Sequence, residues 1–172
     1  MSTQTLNILL WLFSVAGGIM TCFGIYCCVL ALFSFKKQKG YATAKEETRF
    51  ALVVAARNEE AVIGQLVDSL KAQNYPEDLF DVFVAPNNCT DDTRGEALAH
   101  GAKIFTPKGK IAGKGEVLTQ AVNMIMKSGQ YDAMCVFDAD NLVHKDFLQR
   151  MNDARMAGAR VAQGFRYSKN HS

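Results

Sequence analysis

The chain opens on an almost unbroken apolar run, Ile8 to Phe35, and only then takes on the mixed pattern of a globular protein. Residues 1–35 contain no Asp, Glu, Lys or Arg. A membrane-spanning helix needs roughly 20 such residues, so this run predicts a transmembrane helix over residues 1–35. A secretory signal peptide is the alternative. It carries its basic residues before a shorter apolar core, whereas here Lys36, Lys37 and Lys39 follow the run. By the positive-inside rule that cluster stays cytoplasmic. The expected arrangement is a single-pass protein of the cell (plasma) membrane, with the N-terminus outside. A polar juxtamembrane linker then covers residues 36–49, and a cytoplasmic domain covers residues 50–172.

Beyond the linker the apolar spacing alternates between strand and helix. Phe50-Ala51-Leu52-Val53-Val54-Ala55-Ala56 is a continuous apolar run of strand length, as expected for a strand buried on both faces. Asn58 then reads as an N-cap, with Glu59 and Glu60 at the positive end of a helix. That helix carries Val62, Ile63, Leu66, Val67 and Leu70 at helical spacing and ends by about Tyr75, before Pro76. A second strand is expected over 81–85, a turn over 86–90 and a short helix from Asp91 to His100, stopped by Gly101. A short third strand follows at 103–105, a loop at 106–113 and a helix at 116–127 closed by Gly129. The fourth strand is expected at 133–137, a helix at 145–157 and a fifth strand from about 160 to 164. Strands and helices alternating in this way argue for an α/β domain with a mainly parallel sheet and right-handed crossovers.

Charge narrows the function. The formal net charge is +2. All the charged residues lie beyond residue 35, and with the three linker lysines set aside the rest is near neutral. No basic stripe marks a nucleic-acid binder. Five cysteines, Cys22, Cys27, Cys28, Cys89 and Cys135, show no metal-ligand spacing. They read as small buried side chains in a reducing compartment.

Candidate chemistry gathers at the carboxyl ends of the expected strands, where α/β sheets bind their ligands. Asp138-Ala139-Asp140 leaves the fourth strand, Arg57-Asn58-Glu59-Glu60 the first and Asn87-Asn88 the second. Two carboxylates one residue apart suit a hard divalent cation, and that cation can grip a diphosphate. The plainer reading of each piece stays open. Asp138 and Asp140 suit a solvated turn, Glu59 a helix cap and Lys114 an exposed loop. Asp91 and Asp92 suit the first turn of a helix. His144 suits an exposed site before a helix, and His100 and His171 carry no argument.

Taken in order, Val53-Val54-Ala55-Ala56-Arg57-Asn58-Glu59-Glu60, Pro86-Asn87-Asn88-Cys89-Thr90-Asp91-Asp92-Thr93, Lys114-Gly115 with Leu118, and Phe137-Asp138-Ala139-Asp140 resemble a family 2 glycosyltransferase of the processive or polyprenyl type. The resemblance covers residues 50 to about 165. It implies a GT-A nucleotide-sugar fold, here a truncated, Rossmann-like, mainly parallel sheet preceded by one transmembrane helix. The implied donor is a UDP-sugar or another nucleotide sugar, held with Mg²⁺ or Mn²⁺. The implied acceptor is a polysaccharide or a lipid-linked molecule.

By the same resemblance, Ala56 and Glu59 border the uracil and ribose. Asn87 stands where many relatives carry an Asp that accepts a hydrogen bond from uracil, and an amide carbonyl can also accept one. Lys114 lies beside the nucleotide, Asp138 near the ribose and metal, and Asp140 ligates the metal. The family's acceptor half, with its catalytic carboxylate, has no counterpart before Ser172, so no general base can be named in this chain. The alternative function is a catalytically inactive, membrane-tethered remnant or interaction subunit that pairs with the missing C-terminal half. A metal-dependent nucleotidyltransferase would need a glycine-rich phosphate loop after the first strand, where Arg57-Asn58-Glu59-Glu60 stands instead.

Overall fold

A computed structural model describes residues 2–35, 40–109, 111 and 113–167. The chain divides after Gly40 into an N-terminal unit and a larger unit that begins at Tyr41. The Lys36–Lys39 cluster lies outside the described residues.

The N-terminal unit is one helix, α1 (Thr3–Ser34). Ser2 caps it, its hydroxyl accepting from the Thr5 amide at 3.3 Å. Ser14 and Thr21 return their hydroxyls to the carbonyls of Leu10 and Gly17. These bonds leave few polar groups pointing outward from a helix whose large apolar side chains are exposed. Its 32 residues rise about 48 Å at ~1.5 Å each, more than the ~30 Å of a hydrocarbon core. By length and composition it can cross a membrane.

The second unit is built on four parallel strands: β1 (Phe50–Ala56), β2 (Phe80–Pro86), β3 (Lys103–Ile104) and β4 (Ala133–Asp138). Their order across the sheet is β3-β2-β1-β4. The connecting helices are α2 (Glu60–Lys71), α3 (Thr93–Ala99), α4 (Lys114–Ser128) and α5 (Phe147–Met156). One 3₁₀ turn, Glu77–Leu79, follows Pro76.

Central β1 is buried on both faces, which explains its unbroken apolar run. Phe50, Leu52, Val54 and Ala56 face a core shared with Ile63, Leu66, Val67 and Leu70 of α2, Ala97 of α3 and Leu148 of α5. Ala51 and Val53 face Ala121 and Ile125 of α4. Helices therefore cover both faces, and the chain reverses direction across the sheet between β1 and β4. That switch point is where open α/β sheets form a ligand crevice.

Three expectations need correction. Residues 160–164 form no strand, and Val161 and Phe165 are exposed. Asn58 does not cap α2. It has φ +56°, and Glu59 holds the capping position with no side-chain bond of its own. Ala44, Lys45 and Thr48, expected within the linker, are bonded to α5. The Ala44 amide donates to Asp153 at 2.9 Å, and the Thr48 hydroxyl donates to Asn152 at 2.7 Å. The Asn152 amide donates to the Lys45 carbonyl at 2.9 Å. Burial opposes ionisation of Asp153, but the Ala44 amide, Gln149 and Arg150 together bring its carboxyl below the usual range.

Candidate functional site

The carboxyl edge of the sheet gathers the residues singled out by sequence. Ala55 of β1 pairs directly with Asp138 of β4, and Ala56 with Pro86 of β2. The loops after the three strands are therefore neighbours, with Asp138 on one side of β1 and Asn87 on the other. The Asn87 amide donates to the Ala56 carbonyl at 3.0 Å, extending the β1–β2 ladder one step into the loops. The Ala56 side chain is buried in the core, so this residue offers the edge only its backbone.

At the end of β4, Ala139 is buried while Asp138 is half-buried and Asp140 exposed. Packing the alanine inward leaves the two carboxylates on the solvent side. Lys114 is the first residue of α4, after an extended Gly113. Its ammonium is paired with the Asp138 carboxylate. That ion pair, and the more distant Arg166 charge, hold the Asp138 carboxyl below the usual carboxylate range. Arg166 is a cation at this edge that strand and helix periodicity did not single out.

The donor set suits a hard cation. Among the described residues no three His, Cys, Asp or Glu side chains cluster as a closed metal site. Two carboxylates with room for outside oxygens match the way Mg²⁺ and Mn²⁺ bind, through one or two carboxylates completed by phosphate and water. The lysine beside Asp138 suits a diphosphate rather than a second protein ligand.

The loops after β1 and β2 are tied by hydrogen bonds that the sequence reading did not anticipate. The Thr90 amide donates to Asn58 Oδ1 at 2.8 Å. The Glu59 amide donates to Thr93 Oγ1 at 2.9 Å, and the Glu60 amide to Asp91 Oδ2 at 3.0 Å. The Asp92 amide donates to Glu60 Oε2 at 3.0 Å. The amides that open α2 are thus capped by the neighbouring loop, the role expected of Asn58. Asp92 caps α3, accepting from the Gly95 amide at 3.0 Å, as its reading as a helix-start residue implied. The Thr93 hydroxyl, with the Glu60 and Thr93 amides, holds the Asp91 carboxyl low. Asn88 has φ +51° and donates to the Ile111 carbonyl at 3.4 Å.

Two cavities, of 140 and 260 Å³, flank Tyr131 near the amino ends of β2 and β3. Neither is lined by Asp138, Asp140, Lys114, Glu59 or Asn87. His144 is exposed and contacts its own neighbour Asp146. Cys89 and Cys135 are free thiols, and burial pushes the Cys135 thiol up to about 12.

Comparison with known proteins bears on the family and the fold. Residues 51–172 match the model of the family described as glycosyl transferase family 2. The beta-monoglucosyldiacylglycerol synthase of Synechocystis sp. is 36% identical over 116 residues, 65% of this chain and 24% of its own length. The chain thus spans about a quarter of that relative. Among solved structures, the mannosyltransferase PcManGT of Pyrobaculum calidifontis, in complex with GDP-Man and Mn²⁺, superposes with a TM-score of 0.54 at 21% identity. That match covers 67% of this chain and 35% of the other. S. aureus TarS in complex with UDP-GlcNAc gives 0.54 at 21% identity, over 67% and 37%.

Proposed function

Because the chain belongs to glycosyl transferase family 2, we propose that it carries the donor-binding half of a membrane-anchored transferase that moves a sugar from a nucleotide diphosphate to a polysaccharide or lipid-linked acceptor. One observation carries this reading: Asp138 sits beside Ala55 at the sheet's switch point, with the Lys114 ammonium on its carboxylate.

Asp138 and Asp140 would hold Mg²⁺ or Mn²⁺, which supplies Lewis-acid neutralisation of a departing diphosphate. Lys114 would shift from Asp138 onto diphosphate oxygens, adding a point charge where negative charge develops. Glu59 and the Ala56 backbone would border the ribose and base, with the Asn87 amide carbonyl as a base acceptor. The donor is a UDP-sugar in this reading, although PcManGT is in complex with GDP-Man and TarS with UDP-GlcNAc. The Synechocystis relative is named for a lipid product, which suits an acceptor met at a membrane. Helix α1, followed in sequence by Lys36, Lys37 and Lys39, would span the cell membrane once, with the N-terminus outside and the unit from Tyr41 in the cytoplasm.

Calorimetric titration of the full chain in detergent micelles with UDP and Mn²⁺ tests the proposal. The expected result is one nucleotide per chain, with affinity falling at least about tenfold in Asp140→Ala. No binding by the wild type, or unchanged binding by Asp140→Ala, overturns it.

A further inference from the structure

The amide of Glu59 does not end in solvent. It donates to Thr93 Oγ1 at 2.9 Å, and that hydroxyl donates onward to Asp91 Oδ1 at 2.5 Å. The other Asp91 oxygen accepts from the Glu60 amide at 3.0 Å. A closed bridge results, in which one hydroxyl and one carboxylate bind two successive amides of the first loop from the second. Thr93 is fully buried, so its hydroxyl has no water to replace these partners. On the far side Asn58, with φ +56°, accepts from the Thr90 amide at 2.8 Å. With the Asp92 amide on Glu60 Oε2, residues 58–60 are held to residues 90–93 through four residue pairs, while Asn87 is held to Ala56.

We infer that Thr93, with Asp91 beneath it, is a positioning residue that sets where Glu59 and Asn87 stand for the nucleoside half of the donor. The inference rests on the donor-binding reading of this edge. In this role neither residue needs to touch the nucleotide. Thr93 acts through the Glu59 amide, and Asp91 acts through Thr93 and the Glu60 amide. The bridge demands a group that accepts and donates at once, which a threonine or serine hydroxyl does and a valine of equal shape does not. Successive bonds that end on a carboxylate also strengthen one another, so loss of the middle link loosens both loops.

The experiment compares Thr93→Val, Thr93→Ser and Asp91→Asn in the full chain in detergent micelles. The affinity for UDP with Mn²⁺ is measured by calorimetry, and amide hydrogen exchange is measured at Glu59 and Glu60. Near-UV circular dichroism checks that each variant is folded at the titration temperature. Thr93→Val is expected to bind UDP about tenfold more weakly with unchanged stoichiometry, and Thr93→Ser to stay within about threefold of wild type. Both amides should exchange faster in Thr93→Val and in Asp91→Asn. A purely structural role would lower the unfolding temperature and leave the affinity of the folded fraction unchanged, and that result overturns the inference. Should Thr93→Val not fold, Asp91→Asn, at a partly exposed position, decides by the same criterion. A wild-type chain that binds no UDP overturns the donor reading and this inference with it. A wild type that binds, beside a folded Thr93→Val that binds equally well, overturns the inference alone.

Discussion

Asn152 is the residue on which attachment of the 44–49 segment to the sheet unit most depends, and replacing it by leucine puts a magnitude on that dependence. Its side chain is fully buried. Its carbonyl oxygen accepts from the Thr48 hydroxyl at 2.7 Å, the Thr48 amide at 3.3 Å and the Tyr75 hydroxyl at 3.3 Å. Leucine fills nearly the same volume and accepts nothing. The Tyr75 hydroxyl keeps the Thr48 carbonyl at 2.9 Å, and the Lys45 carbonyl, on an exposed residue, can turn to water. The uncompensated loss is therefore two donors on buried Thr48. Each costs about 1–3 kcal/mol when stranded, and the added apolar burial returns about 1 kcal/mol. The expected net destabilisation is about 3 kcal/mol. Urea unfolding of the full chain in micelles should be followed by near-UV circular dichroism. Tyr75 packs edge-on against Phe50 at 5.5 Å and reports on this unit, whereas the far-UV signal mixes in a large share from α1. The partner variant Thr48→Val should cost less, and the double variant should cost at least about 1 kcal/mol less than the sum of the singles. A cost below about 1 kcal/mol for Asn152→Leu, or strict additivity, would refute the account of the segment as held by this network.

Two further outcomes follow from local geometry. His100 lies between Asp68 at 2.7 Å and Glu96 at 3.2 Å; the Asp68 hydrogen bond, and then Glu96, raise its pKa above the ordinary 6.5 against opposing desolvation. A raised folded value means the contribution to stability is complete below about 6.5 and disappears as the pH climbs through the folded value, so urea midpoints should fall on that limb and His100→Gln should flatten it. Gly129 ends α4 at φ +62°, and a Cβ there would meet nothing within 4 Å, so Gly129→Ala should cost about 1 kcal/mol from backbone strain alone; a neutral effect in the same unfolding assay would contradict that conformation.

The strands were legible where burial dictates composition. β1 is apolar at every position because helices lie on both sides of it, and its bounds, 50–56, coincide with the apolar run. The expected strand at 160–164 shows the limit of that reading. Val161 and Ala162 have strand-like chemistry, but among the described residues no neighbouring strand pairs with them, and a strand exists only in its ladder. The linker boundary was obscured for a related reason. Residues 44–49 are polar and look like a tether, yet Ala44, Lys45 and Thr48 are bound through backbone groups to side chains about a hundred positions away on α5. Backbone bonds of that range leave no periodicity in the sequence.

The site divides along the same line. Asp138, Asp140, Asn87 and Glu59 stand out in the sequence as polar residues placed where apolar strands end, and parallel topology turns three strand ends into one edge. Lys114 could be named but not paired. Its salt bridge to Asp138 depends on α4 beginning at that residue, three positions before Val117 starts the hydrophobic spacing of the helix. Residue preference assigns the cap of α2 to Asn58, whereas Asp91, in the loop after β2, and Thr93, the first residue of α3, hold the amides of Glu59 and Glu60. A capping residue supplied from another loop has no fixed sequence offset from the helix it caps, so the local rule that places Ser, Thr, Asp or Asn just before a helix selects the wrong one. The carboxyl edge of the sheet thus combines polar strand ends, which sequence patterning exposes, with a bridge between segments that becomes visible only once β1 and β2 are side by side.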